Sequence, residues 1–296
     1  MAHNWPALPY DAWRETNATL HMWTQIVGKV ALALTPRANH FWNITLEITA
    51  RGLATHTLNH DHRAFTMTFD FVDHRLLIQC SDGGTANVAL RPRTVADFYQ
   101  EVMAALQSLG VGVKIWTMPV EVPEPIRFEA DTVHHSYDRD AASAFWRALV
   151  AMRPVFEAFR CGFIGKSSPV HFFWGSFDLA ATRFSGRRAP ERPGADAITR
   201  EAYSHEVISH GFWPGAPAMP QTVFYAYAAP EPAGFKAATV QPAAASYNQA
   251  FSEFLLPYDA VQRSASPARE LTAFLESTYA AGADLAHWNR AELERR

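Results

Sequence analysis

Two stretches of this chain repeat one another, and that repetition limits the fold more than anything else in the sequence. "HFWNITLEITA", from His40, lies against "HFFWGSFDLAA", from His171. Trp42 then matches Phe173, Leu46 matches Phe177 and Glu47 matches Asp178. The patterning around the two strings repeats as well. A helix is predicted over 11–34, where Trp13, Leu20, Val27, Ala31 and Leu34 recur at helical spacing between Pro9 and Pro36. The alternation of Trp42, Ile44, Leu46 and Ile48 with polar neighbours predicts a half-buried strand. "AFTMTFDFV", "LLIQC" and "TANVAL" predict three more, with Asp82-Gly83 as a hairpin turn. Thr94 caps a helix that ends before Gly110, and "VKIWTM" reads as one further strand.

The second half starts again with a helix over 138–160, kinked at Pro154. "HFFWGSFDLAATRFSGR", "EAYSHEVISHGF", "TVFYAYA" and "SEFLLPY" follow as strands, and Ser266-Pro267 opens a last helix. Each half therefore runs helix, about four antiparallel strands, helix. The expected fold is α+β, with a pseudo-two-fold duplication. Residues 1–120 form the first half, the Pro- and Glu-rich 121–137 the linker, and 138–296 the second half.

Bulk properties narrow the function classes. A net charge of −3, spread along the chain, offers no basic stripe for nucleic acid and no polybasic lipid anchor. No apolar run approaches the 18 or so residues of a membrane span. The opening "MAHNWPALPYDAW" has no basic region followed by an apolar one, so no signal peptide is expected. Cys80 and Cys161 form no metal or redox pair and fit a reducing cytoplasm.

Residues 203–215, "YSHEVISHGFWPG", come near the zinc-protease pattern H-E-x-x-H. The second histidine falls at i+5. On a helix that separates the rings by roughly 140°, and on a strand it puts His205 and His210 on opposite faces. No metal site and no cofactor are expected. If the halves align, His205 stands where the first half has Met67, on an inward face. Trp174, Ser176 and Asp178 share the other face with Glu206. Asp178 and Glu206, if adjacent, would split their pKa values and act as acid and base. Glu47 repeats the acid of Asp178 in the first half. Arg183, Arg187 and Arg188 are weaker candidates for holding an anion.

The strings "SPVHFFWGSFDLAATRFSGR", "REAYSHEV", "GFWPG" and "EFLLPY" resemble those of a family of uncharacterised bacterial proteins, over nearly the whole chain. The resemblance implies a bacterial, cytosolic protein and brings no activity or functional residue with it. Three functions stay open. The first is small-molecule binding in the second half, with Trp174, Phe212, Trp213, Tyr225 and Tyr227 as walls. The second is a non-peptidase hydrolase or lyase using His171, Asp178, His205 and Glu206. The third is a homodimeric interaction protein; the oligomeric state itself is not set by the sequence.

Overall fold

The computed structural model describes residues 5–195 and 197–295. It is an α+β fold, helices packed with antiparallel sheet, and the chain divides into two compact units. The first unit holds residues 10–150 and 171–178. The second holds 151–170 and everything from Leu179 on, together with the N-terminal segment before Tyr10.

In the first unit, α1 (Tyr10–Leu34) leads into a 3₁₀ turn over Asn39–Ile44. Six strands follow: β1 (Leu46–Ile48), β2 (Gly52–Thr55), β3 (Leu58–His60), β4 (Arg63–Asp70), β5 (Arg75–Cys80) and β6 (Thr85–Ala89). Then come α2 (Val95–Ser108) and the start of α3 (Arg139–Cys161), and later β7 (His171–Phe173). The sheet order is β7-β1-β2-β4-β5-β6, with β3 also paired to β4. Helix α2 starts where the capping pattern predicts, since Thr94 accepts a hydrogen bond from the Asp97 N–H at 3.0 Å. The core forms around Trp23, stacked on Phe98 at 4.4 Å and on Tyr137 at 5.3 Å. Such aromatic pairs add about 1 kcal/mol each beyond their buried area.

The second unit contains β8 (Asp178–Arg188), α4 (Ala197–Ala202), β9 (His205–Trp213), β10 (Val223–Ala229), β11 (Ser246–Asn248) and β12 (Glu253–Pro257). Helices α5 (Tyr258–Gln262), α6 (Pro267–Leu285) and α7 (Arg290–Leu293) close the chain. The order here is β8-β9-β10-β12-β11. The face covered by α6 buries Phe212, Phe224, Phe254 and Leu256 against Phe274 and Leu275. Among the described residues, no helix is long and apolar enough to cross a membrane.

Several expectations need correction. The string from His40 is not a strand until Leu46. Asn43 makes side-chain hydrogen bonds to the Ala38 N–H (3.1 Å) and to the Thr35 hydroxyl (2.7 Å), which tie this segment into a turn, and His40 and Phe41 take positive φ. The string from His171 is a strand at once, so the two strings differ in local structure. The run expected as one strand from His171 onward breaks at Phe177 (φ 58°) into β7 and β8. "VKIWTM" joins no strand. The segment 121–137 is woven into the first unit: Phe128 is fully buried, and the Asp131 carbonyl accepts the Ala96 N–H.

Candidate functional site

In the first unit the site is built on α1, which is buried almost all round from Met22 to Ala31. A buried helix must satisfy each polar side chain internally, and most of those on α1 are answered. Gln25 clamps the Val120 peptide, accepting its N–H and donating to its carbonyl, both at 2.8 Å. Thr16 and Thr19 accept the N–H groups of Asp138 and Ser136. The His21 Nε2–H donates to the Gly175 carbonyl at 2.8 Å, and its ring stacks on Phe177 at 4.9 Å. Loss of hydration, the largest cause, pulls the His21 imidazole down to about 4 and keeps it neutral.

Among the described residues, Trp13 and Trp23 bury their indole N–H groups without a partner, and Lys29 is the buried cation of the helix. It is only 3% exposed, and its Nζ faces two indole rings. It lies 4.8 Å from the ring centre of Trp116 and 6.0 Å from that of Trp174. Burial alone pulls this ammonium down to about 8. Trp174 reaches it because position 28 is glycine: a Cβ there would lie 2.2 Å from the indole. The Trp174 Nε1–H is fixed on the Ile44 carbonyl at 2.8 Å.

The same hairpin carries His171 and Asp178. His171 is buried, with Nδ1 3.1 Å from the Thr45 hydroxyl. That hydroxyl is 3.2 Å from His56 Nε2, and His56 Nδ1 is 3.1 Å from the Glu47 carboxylate. Two expected site residues, His171 and Glu47, thus stand at the ends of one relay. Thr45 also lies 3.1 Å from the Trp42 carbonyl, so the relay anchors β1 and the preceding turn to β7. The Asp178 carboxylate accepts the Ser176 hydroxyl.

In the second unit, Trp213, Tyr225 and Tyr227 come together on one sheet face, with Val223 and Leu255 between them. Tyr225 lies flat because Gly211 opposite it has no side chain; a Cβ there would sit 2.3 Å from the phenol oxygen. Thr182 and Ser209 share a hydrogen bond of 2.8 Å in the row next to Tyr227, and the Tyr203 hydroxyl meets that of Tyr227 at 3.3 Å. Burial, the main cause, drives the Tyr227 phenol well above 10, so it stays a neutral donor. Beside it opens a concavity of about 260 Å³, lined by Arg192, Tyr203, Tyr227, Glu231, Phe251 and Glu253. The Arg192 guanidinium lies 4.0 Å over the Tyr203 ring.

The remaining expected residues do not converge. Phe212 is on the opposite face, in the core with Phe224 and Tyr258. Glu206 accepts from Ser185 (2.8 Å) and Arg187 (2.9 Å), and Arg187 donates onward to the Ala286 and His287 carbonyls at the end of α6. Glu206 therefore orients a helix clamp. It does not meet Asp178: Leu179 pairs with Phe212 and Arg188 with His205, so the two acids stand at opposite ends of the β8–β9 ladder. His205 is half-buried beside Ser204, with its Nδ1 3.1 Å from that hydroxyl. The inward histidine of the strand is His210, fully buried, with Nε2 3.0 Å from the Thr278 hydroxyl. Arg183 is no anion holder in a loop. It is buried in β8 beneath α6, 3.4 Å over the Phe159 ring and 4.2 Å from that of Tyr279.

Sequence reasoning missed Lys29, His21 and Gln25. The signal was there: these three polar residues recur at i, i+4 and i+8 within the helix, and "IVGKVALAL" sets a lone lysine in an apolar run.

The fold and these sites define an α+β protein of helices and antiparallel sheet, with a tyrosine-lined concavity in one unit and a buried amine in the other. Residues 5–295 match the family of unknown function DUF5996, and the chain belongs to that family. No curated protein and no solved structure matches it.

Proposed function

We propose that this protein binds a small molecule in the tyrosine-lined concavity of the second unit. The observation that carries this is the hydroxyl pair of Tyr203 and Tyr227 at the edge of an aromatic sheet face, with Arg192 over it. Ligand sites combine apolar walls with a few placed polar groups. Here the walls are Phe251 and the two tyrosine rings, and the polar groups are Arg192, Glu231 and Glu253. The volume suits a small aromatic ligand bearing a hydrogen-bonding or charged substituent. A thermal-shift screen of aromatic acids and amines tests this. A binder should lose its stabilisation in Tyr203→Ala and in Arg192→Ala, while the unliganded midpoint of each variant stays within about 2 °C of the parent, as for surface changes. A binder held equally well by both variants would place the site elsewhere.

We also infer that the two units arose by duplication. In support, each contains a helix, then strands that neighbour one another in chain order, then a helix: β2, β4, β5, β6 and α2 in one, and β8, β9, β10, β12 and α6 in the other.

A further inference from the structure

We propose that Lys29 is a carbonyl-capturing amine, which forms an imine with an aromatic aldehyde or conjugated ketone seated against the indoles of Trp116 and Trp174. The inference concerns the first unit alone and does not depend on the concavity in the second. Three observations support it. The residue is only 3% exposed, no carboxylate pairs with it among the described residues, and loss of hydration lowers the pKa of its ammonium. A methionine would fill a similar volume without the cost of burying a cation. Among the described residues the buried cations are Lys29, Arg93 and Arg183, and Lys29 carries the side chain that burial can neutralise. The cover over Nζ is Trp116, itself 63% exposed. A large apolar ring held in water above a buried amine offers a flat surface on which a conjugated carbonyl stacks.

The step is balanced without a co-reactant. The neutral Nζ lone pair attacks the carbonyl carbon and a nitrogen–carbon bond forms. The carbon–oxygen bond then breaks, and the oxygen leaves as water with both amine protons. Nothing is oxidised or reduced. A lysine of ordinary pKa near 10.4 is well under about 1% neutral at pH 8, whereas Lys29, at about 8, is near half neutral. Desolvation in an apolar site is an established way to activate an amine for this chemistry.

The four lysines make the test self-referencing, because Lys114, Lys166 and Lys236 are all exposed. The full chain is treated at pH 8 with benzaldehyde and sodium cyanoborohydride, which reduces the imine to a stable amine, and labelling at each lysine is followed by peptide mass spectrometry. Lys29 should label about tenfold faster than the other three, a discount on the roughly hundredfold gain in neutral amine. Acetaldehyde, which cannot stack, should show a smaller preference for Lys29, and Trp116→Ala should bring the benzaldehyde preference down to that level. Labelling of Lys29 at or below the rate of the exposed lysines would overturn the proposal. So would a preference for Lys29 that is the same with both aldehydes.

Discussion

Three buried groups make stability depend on pH in the same direction, over two separate pH ranges. His21 and His210 are both held below the ordinary histidine value near 6.5, chiefly by desolvation. The unfolded chain then takes up the proton first. Their contribution is complete above about pH 6.5 and is lost as pH falls toward the folded value, about 4 for His21. Lys29 follows the same sign at higher pH. Its unfolded form keeps its proton up to about 10.4, so stability rises between about pH 8 and 10.4. Urea midpoints at pH 7, 5.5 and 4.5 should fall by the equivalent of about 2 kcal/mol or more in total, and His21→Gln should flatten part of that slope. A wild-type profile level across that window would show that these imidazoles are solvated. Legibility at this scale was uneven. Tyr225 and Tyr227 share a face by alternation within one strand, whereas setting Trp213 with them and Phe212 apart depended on the β9–β10 register. Which histidine of "SHEVISH" points inward depended on the ladder register, which no local pattern carries. The answer was His210 and not His205.

At the scale of elements, the four long helices were the easiest to read, whereas the short α4, α5 and α7 were not foreseen, and α4 takes the start of the run expected as a strand from Glu201. α1, α2, α3 and α6 start within a residue or so of their caps. Strand breaks were harder. An alternating run looks the same whether it continues or folds back, and the turn at Phe177 depends on the close packing of Trp174, Gly175 and Ser176 against α1 and its surroundings. Gly28 sets that packing. Replacing it with alanine improves helix propensity by about 1 kcal/mol, yet the new methyl would collide with the Trp174 indole at 2.2 Å. Displacing the ring breaks its bond to the Ile44 carbonyl and shifts the β7 hairpin. Gly28→Ala should therefore be destabilising by about 1–3 kcal/mol net, as read by chemical denaturation, with a red-shifted tryptophan emission. A stabilised Gly28→Ala variant would mean that the indole does not occupy this seat.

For the molecule as a whole, the sequence carried the order of elements better than their correspondence. Helix, strands and helix recur in both halves, but the strings that first pointed to repetition lie in a 3₁₀ turn on one side and in a strand on the other. The eleven-residue match tracked hydrophobic spacing, which a turn and a strand can share over a short stretch. The duplication proposed above pairs strands by topology instead, β4 with β9 and β5 with β10, each flanked by a strand on both sides. Each unit also has its own aromatic core, Trp23 with Phe98 in one and Phe212 with Phe224 and Tyr258 in the other. Amides in doubly flanked strands over a closed core exchange most slowly with solvent. If the units are copies, native-state hydrogen exchange should find two sets of slowest amides, one on β4 and β5 and one on β9 and β10, with β6 and β11 exchanging sooner as edges. Protection confined to one unit, or centred on strands that do not correspond, would count against the duplication and favour two unrelated sets of strands that happen to share a connection order.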